Sequence, residues 1–230
     1  MERFYKVLND INNFRDSRFE MSAEIIRKIS REEWYIKGNS GCMQYESKNY
    51  LMAIELLNSA LILKPDHGLF FKVRANAKED AGHRDAAIQD YISSLENEQV
   101  YSTYFQLGTC FLNSKKFAEA IHAFTAAIQL KSDNIQMEDA LPYFIFGVPI
   151  RIDFEKIYGN RANAYYNLND FEKAKNDCIK ALSFSRNYPN AHFLYGVSLL
   201  QQGKINEGKD SIRAAANLGF QPAITTLAQL

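Results

Sequence analysis

The chain has 230 residues, 47% of them hydrophobic, and 27 basic side chains balance 27 acidic ones. That balance leaves no whole-molecule field to draw in nucleic acid or an anionic membrane, and no run approaches the roughly 18 apolar residues of a membrane span. The opening MERFYKVLNDINNF has no uninterrupted apolar core and does not read as a signal peptide.

Cys42, Cys110 and Cys178 lie far apart and outside any CxxC pairing, so neither a disulfide framework nor a zinc site is expected. The expectation is a cytoplasmic protein whose cysteines are small buried residues.

Residues 1–29 hold Phe4, Val7, Leu8, Ile11 and Phe14, then Ile25, Ile26 and Ile29, which predicts two helices broken around Arg15 to Arg18. Ser30-Arg31-Glu32-Glu33 has the S-x-x-E form of a capping box and predicts a helix start. From Trp34 a two-helix pattern begins, with Gly41 and Ala53 at the crossing and Leu57 and Ala60 beyond. Pro65 ends its second helix, having no backbone N–H to give. Phe71, Ala75, Ala87 and Tyr91 repeat the pattern around a turn at Gly82.

Residues 104–130 are its clearest copy. Tyr104, Leu107, Gly108 and Phe111 form one stripe, and Ala120, Phe124 and Ala127 form another after a polar turn. Gly108 and Ala120 are small enough to let the two backbones approach. A later copy has Tyr158, Ala162, Tyr165, Phe171, Ala174 and Ala181 around Asn169-Asp170, and the last has Gly196, Leu199, Gly203, Ile205, Ile212 and Ala215. Gly208 stands there in place of the crossing alanine, at a helix-propensity cost of about 1 kcal/mol. Residues 221–230 predict a final helix from near Pro222 that covers the last unit.

Ala53, Ala87, Ala120, Ala174 and Gly208 mark one register, at steps of 34, 33, 54 and 34 residues. A period of about 34 with two helices per unit resembles the tetratricopeptide repeat (TPR) family. The resemblance runs from Trp34 to about Gly219. It implies an all-α fold: a right-handed solenoid of antiparallel helix pairs, capped by helices at both ends. The expected organisation is one continuous solenoid domain. It has N-terminal capping helices over 1–33, three repeats over 34–134, an apolar insert over 135–154, two repeats over 155–220 and a C-terminal cap over 221–230. The insert, IQMEDALPYFIFGVPIRIDF, cannot be one helix because Pro142, Gly147 and Pro149 interrupt it. Its apolar side chains, Tyr143, Phe144 and Phe146 foremost, are expected to be buried against the solenoid, a second copy of the chain or a partner.

No HExxH, P-loop, dinucleotide glycine fingerprint or GxSxG is present, and Gly38-Asn39-Ser40-Gly41 falls inside a helix by register. His67, His83, His122 and His192 fall in different repeats, mostly at turns or helix surfaces, with no Cys or carboxylate at ligand spacing. No catalytic residue, metal site or cofactor is therefore expected.

The resemblance implies a groove lined by the first helix of each repeat. On the family's groove positions stand Asn39, Lys72, Asn76, Phe105, Gln106, Thr109, Lys156, Asn160, Asn163, Tyr166 and Phe193, with Tyr45 and Asn167 also at such positions. Amide side chains carry both donors and an acceptor and can pair with the peptide groups of an extended ligand of any sequence.

Cochaperone members of the family hold a C-terminal carboxylate with Lys and Asn, then Asn, then Lys and Arg. Here those positions read Lys72 and Asn76, Gln106, and Lys156 and Asn160. The absent arginine removes the fork that grips a carboxylate, and the insert stands between the third and fourth repeats. The resemblance implies a non-catalytic adaptor binding an extended protein or peptide segment, and no nucleic acid or membrane. The alternatives are docking of a partner or a second copy through the insert, and an accessory domain of an enzyme.

Overall fold

The computed structural model describes residues 32–133 and 153–230, and every regular element within them is an α-helix. The expected helices within 1–29 and the insert residues Tyr143, Phe144 and Phe146 lie outside the described residues. In chain order the helices are α1 (Glu33–Glu46), α2 (Tyr50–Leu63), α3 (Gly68–Asp80), α4 (Arg84–Asn97), α5 (Tyr101–Asn113), α6 (Phe117–Asp133), α7 (Phe154–Asn167), α8 (Phe171–Phe184), α9 (Pro189–Gln201), α10 (Ile205–Asn217) and α11 (Gln221–Leu227).

Consecutive helices pair as α1/α2, α3/α4, α5/α6, α7/α8 and α9/α10. The second helix of each pair packs on the first helix of the next, and α11 closes on α10.

The pairs close through a column of small residues. A Cβ added at Gly41 would stand 2.7 Å from Leu57 Cγ, and one at Gly108 would stand 2.7 Å from Phe124 Cε1. Opposite them Ala53, Ala87, Ala120 and Ala174 are wholly buried. The final pair is tighter still. A Cβ on Gly208 would lie 2.9 Å from the Gly196 carbonyl oxygen, which makes this glycine the means of the approach and corrects the view of it as a mere propensity penalty.

Stacking between pairs uses a second register. Phe70, Ile157 and Ala191 are all but wholly buried against the preceding pair, as are Cys110 and Ala164 at the register two turns on, where Ala77 and Ser198 are wholly buried too. On α1 the same two places hold Ile36 and Met43, which are 50% and 62% exposed, so the stacking face of the first described pair is uncovered by the described residues.

Local signals explain the ends. Pro65 follows Lys64, whose extended φ of −140° terminates α2. The turns inside the pairs pass through left-handed residues: Lys48, Gly82, Lys115, Asn169 and Gly203. The capping box at Ser30 does not start α1 as expected. Glu32 holds the N-cap position without a side-chain cap, and Glu33 is the first helical residue instead of the third. The Glu32 carboxylate instead accepts a hydrogen bond from Trp34 Nε1.

The insert leaves the stack intact. α7 packs on α6, with Ile157 and Ala164 in one core cluster with Ala120, Phe124 and Ala127. The third and fourth repeats are thus in direct contact although the insert separates them in sequence. At the far end Ala223 and Leu227 of α11 cover Ile212 and Ala215 of α10, as the Pro222 signal predicts.

Candidate functional site

The first helices of the first three pairs, α1, α3 and α5, enclose a pocket of about 240 Å³ with Tyr91 of α4 as its floor. Its walls are Tyr45 from α1, Asn76, Glu79 and Asp80 from α3, and Phe105, Gln106 and Thr109 from α5. Helical spacing does this. Asn76, Glu79 and Asp80 stand at i, i+3 and i+4 and share one face, as do Phe105 and Thr109.

Tyr91 is buried behind Asn76, and its hydroxyl lies 2.7 Å from Asn76 Oδ1 and 3.0 Å from Glu79 Oε2. Burial pushes its phenol well above the ordinary tyrosine range, and the Glu79 charge adds to that. Burial also raises the Glu79 carboxyl, against the opposing hydrogen bonds from Tyr91 and Asn113. The Tyr45 phenol is raised by burial first and by Asp80 second. Gln106 Oε1 is buried with no hydrogen-bond partner among the described residues, while the Thr109 hydroxyl donates 3.0 Å to the Phe105 carbonyl. The Phe105 ring is backed by Phe124 at 5.8 Å.

Of the residues expected to line a groove, the pocket thus brings together Asn76, Phe105, Gln106 and Thr109, with Tyr45. The others lie elsewhere. Asn39 is half-buried on α1. Lys72 donates 2.8 Å to Ser102 Oγ, and burial pushes its ammonium down to about 8, with Glu98 opposing. Lys156 is exposed, with Nζ 4.0 Å from Asp153. Asn160 is half-buried on α7. Asn163 accepts two bonds of 2.8 Å from Asn167 Nδ2, through its carbonyl and its Oδ1. Tyr166 packs on Phe171, and Phe193 on Phe220, each with centroids 5.5 Å apart.

Glu79 and Asp80 are missing from the expected set. The count from Gly68 that selects Asn76 as the ninth position makes them the twelfth and thirteenth, so the signal was there. Tyr91 carries no such signal, because it reaches the pocket from a second helix.

His67 is not a surface residue as its turn position suggests. It caps α3 through Nδ1, 3.3 Å from the Phe70 N–H, and stacks on the Phe70 ring at 3.6 Å. All three cysteines are buried and free. Burial pushes the Cys42 and Cys110 thiols up to about 12, which keeps both in the unreactive thiol form. Among the described residues no group of three or more His, Cys, Asp and Glu is placed to hold a metal ion, and no helix is long and apolar enough to cross a membrane.

Family models for the tetratricopeptide repeat match residues 101–134 and 155–188, which are the α5/α6 and α7/α8 pairs. The chain is a tetratricopeptide-repeat protein. Its TPR region is 30% identical over 110 residues to the E3 ubiquitin-protein ligase CHIP of Arabidopsis thaliana, a match covering 48% of this chain and 32% of that one. It is 27% identical over 96 residues to small glutamine-rich tetratricopeptide repeat-containing protein 2 of Mycosarcoma maydis, covering 41% and 27%. The match thus takes in about a third or less of either relative.

Among solved structures, YrrB, described as a TPR protein with an unusual peptide-binding site, superposes with a TM-score of 0.70 at 11% identity, over 92% of this chain and 99% of that one. A MamA fragment from Desulfovibrio magneticus RS-1 superposes with a TM-score of 0.69 at 12% identity, over 82% and 96%. At such identities the likeness is one of TPR fold.

Proposed function

We propose that this TPR chain is an interaction scaffold that holds an extended segment of a partner protein along the first helices of its repeats. The observation that carries the reading is Gln106 Oε1, a buried acceptor left without a donor on the wall of a pocket shared by three successive repeats. Leaving a buried carbonyl unpaired costs about 1–3 kcal/mol, and a peptide N–H arriving from a ligand would recover it. Amide and hydroxyl groups flank it at one helix-pair spacing, which suits main-chain recognition. The likeness to interaction-repeat relatives supports the same reading.

The test uses peptides selected on the protein from a random-sequence display library. Gln106→Leu keeps the side-chain volume and removes the orphan acceptor. It should leave the folded state at least as stable as before while weakening the selected peptides about tenfold, the loss of a buried hydrogen bond. Unchanged affinity for every selected peptide would remove the proposal.

A further inference from the structure

We propose that the pocket between α1, α3 and α5 is a subsite for a cationic side chain, arginine or lysine, of the bound segment, an assignment that rests on the groove reading above. The pocket walls gather negative charge with no cation of the described residues to meet it. Glu79 and Asp80 bring two carboxylates, Asn76 and Gln106 bring amide oxygens, and no Lys, Arg or His lines the walls. The single Tyr91 hydroxyl proton is shared between Asn76 Oδ1 and Glu79 Oε2, and the other bonds to the two carboxylates, from Asn113 to Glu79 and from Tyr45 to Asp80, come from neutral groups that leave both charges unbalanced. Gln106 Oε1 has no donor among the described residues.

The nearby basic residues are otherwise engaged. Lys72 is held by Ser102, and Lys78 pairs with Asp90 at 2.7 Å. Arg84 acts on Glu79 only from outside the pocket. Such a site lacks positive charge of its own, and a guanidinium or ammonium supplies it through charge-assisted hydrogen bonds.

Two further features fit. The Tyr45 and Phe105 rings stand on opposite walls, from α1 and α5, and aromatic faces attract a desolvating cation. The volume of about 240 Å³ falls below the roughly 300–1,000 Å³ of small-molecule sites and suits one long side chain. The preference is opposite in sign to that of a carboxylate-holding groove.

The experiment titrates the isotopically labelled protein with Nα-acetyl-arginine methylamide and with its neutral isostere, the citrulline amide, at low and high salt. Saturable shifts at Tyr45, Gln106 and Thr109 are expected with the arginine amide, at least about tenfold weaker with citrulline, and weakened by salt. Glu79→Gln with Asp80→Asn, which keep shape and acceptor oxygens, should abolish the difference between the two amides. Equal response to both amides, saturation at another surface or no saturable shift would each overturn the assignment. The groove reading fails separately. Library peptides that bind through Gln106 with no enrichment of basic residues leave the groove standing and remove the cation subsite. Arginine-specific shifts with no peptide bound at this face do the reverse.

Discussion

Arg161 and Asp177 are joined by two parallel hydrogen bonds, Nε to Oδ2 at 2.7 Å and Nη2 to Oδ1 at 2.8 Å. Arg74 and Asp90 form the same fork two repeats earlier, at 2.7 Å in both bonds. Each arginine spends its remaining amine on the second helix of the preceding pair, Arg161 on Thr125 at 2.9 Å and Arg74 on Asn58 at 2.7 Å. The reach in sequence is 36 residues in one case and 16 in the other, yet the contact is the same. The fourth pair is therefore seated on the third as the second is on the first.

The fork predicts non-additive energetics. Asp177→Leu or Arg161→Met alone leaves one charge unpartnered in a largely buried place and should cost about 3 kcal/mol, whereas the two together should cost less than either single change. Urea unfolding of the four proteins measures this. Additive single effects would show that the pair is not coupled.

Gly208→Ala should destabilise the protein, although alanine is the better helix former by about 1 kcal/mol. The new methyl would meet the Gly196 carbonyl oxygen at 2.9 Å and Leu200 Cδ2 at 2.7 Å, and backbone cannot move aside cheaply. Overpacking of this kind costs about 1–3 kcal/mol. Gly196→Ala, facing Ile212 and the Gly208 carbonyl, should behave alike. A raised midpoint of thermal unfolding for Gly208→Ala would contradict the close approach.

The stack is legible in the sequence because its contacts lie within hairpins or one repeat apart, so that Ala53, Ala87, Ala120 and Ala174 announce themselves by period alone. Contacts that cross a turn with no helical spacing do not. Arg161 and Asp177 are 16 residues apart on two helices, a separation that Arg74 and Asp90 share but that no helical spacing selects. Gly208 reads as a penalty until the backbone it faces is known. Glu79 and Asp80 sit at groove positions by the same count that finds Asn76. Their role depends on Tyr45 and Tyr91, which arrive from other helices, and on Gln106 having no donor. His67 looks like a turn residue because its burial is created by Trp34, from the preceding pair.

Lys115→Gly should stabilise the protein. Lys115 holds a φ of +60°, a conformation that costs an ordinary residue roughly 1–2 kcal/mol, while Gly82 and Gly203 occupy the equivalent turns at no such cost. Its side chain is exposed, so little is lost with it. Set against the greater freedom of glycine in the unfolded chain, the net gain is about 0.5–1 kcal/mol. Gly82→Ala is the converse. Nothing lies within 4 Å of its added Cβ, so any loss there is conformational alone. No change in urea midpoint for either variant would count against the strain.

The acid limb of stability should carry the mark of His67. Burial pushes its imidazole down to about 4 from an ordinary 6.5, against its own backbone hydrogen bond, with Lys64 adding to the fall and Asp66 opposing it. Between those values the unfolded chain binds a proton that the folded chain refuses, so protonation favours unfolding. The stability tied to the neutral ring is fully present above pH 6.5 and is lost as pH falls toward 4. The slope is at most about 1.4 kcal/mol per pH unit from this one group. His67→Asn retains a capping oxygen for the Phe70 N–H but nothing that titrates in this window. It should be less stable at neutral pH, for want of the stacking on Phe70, and should lose less on acidification. Urea midpoints of both proteins, followed from neutral pH down to about 4, give the comparison directly. Parallel curves would mean that His67 is protonated in the folded state and that its cap is made some other way.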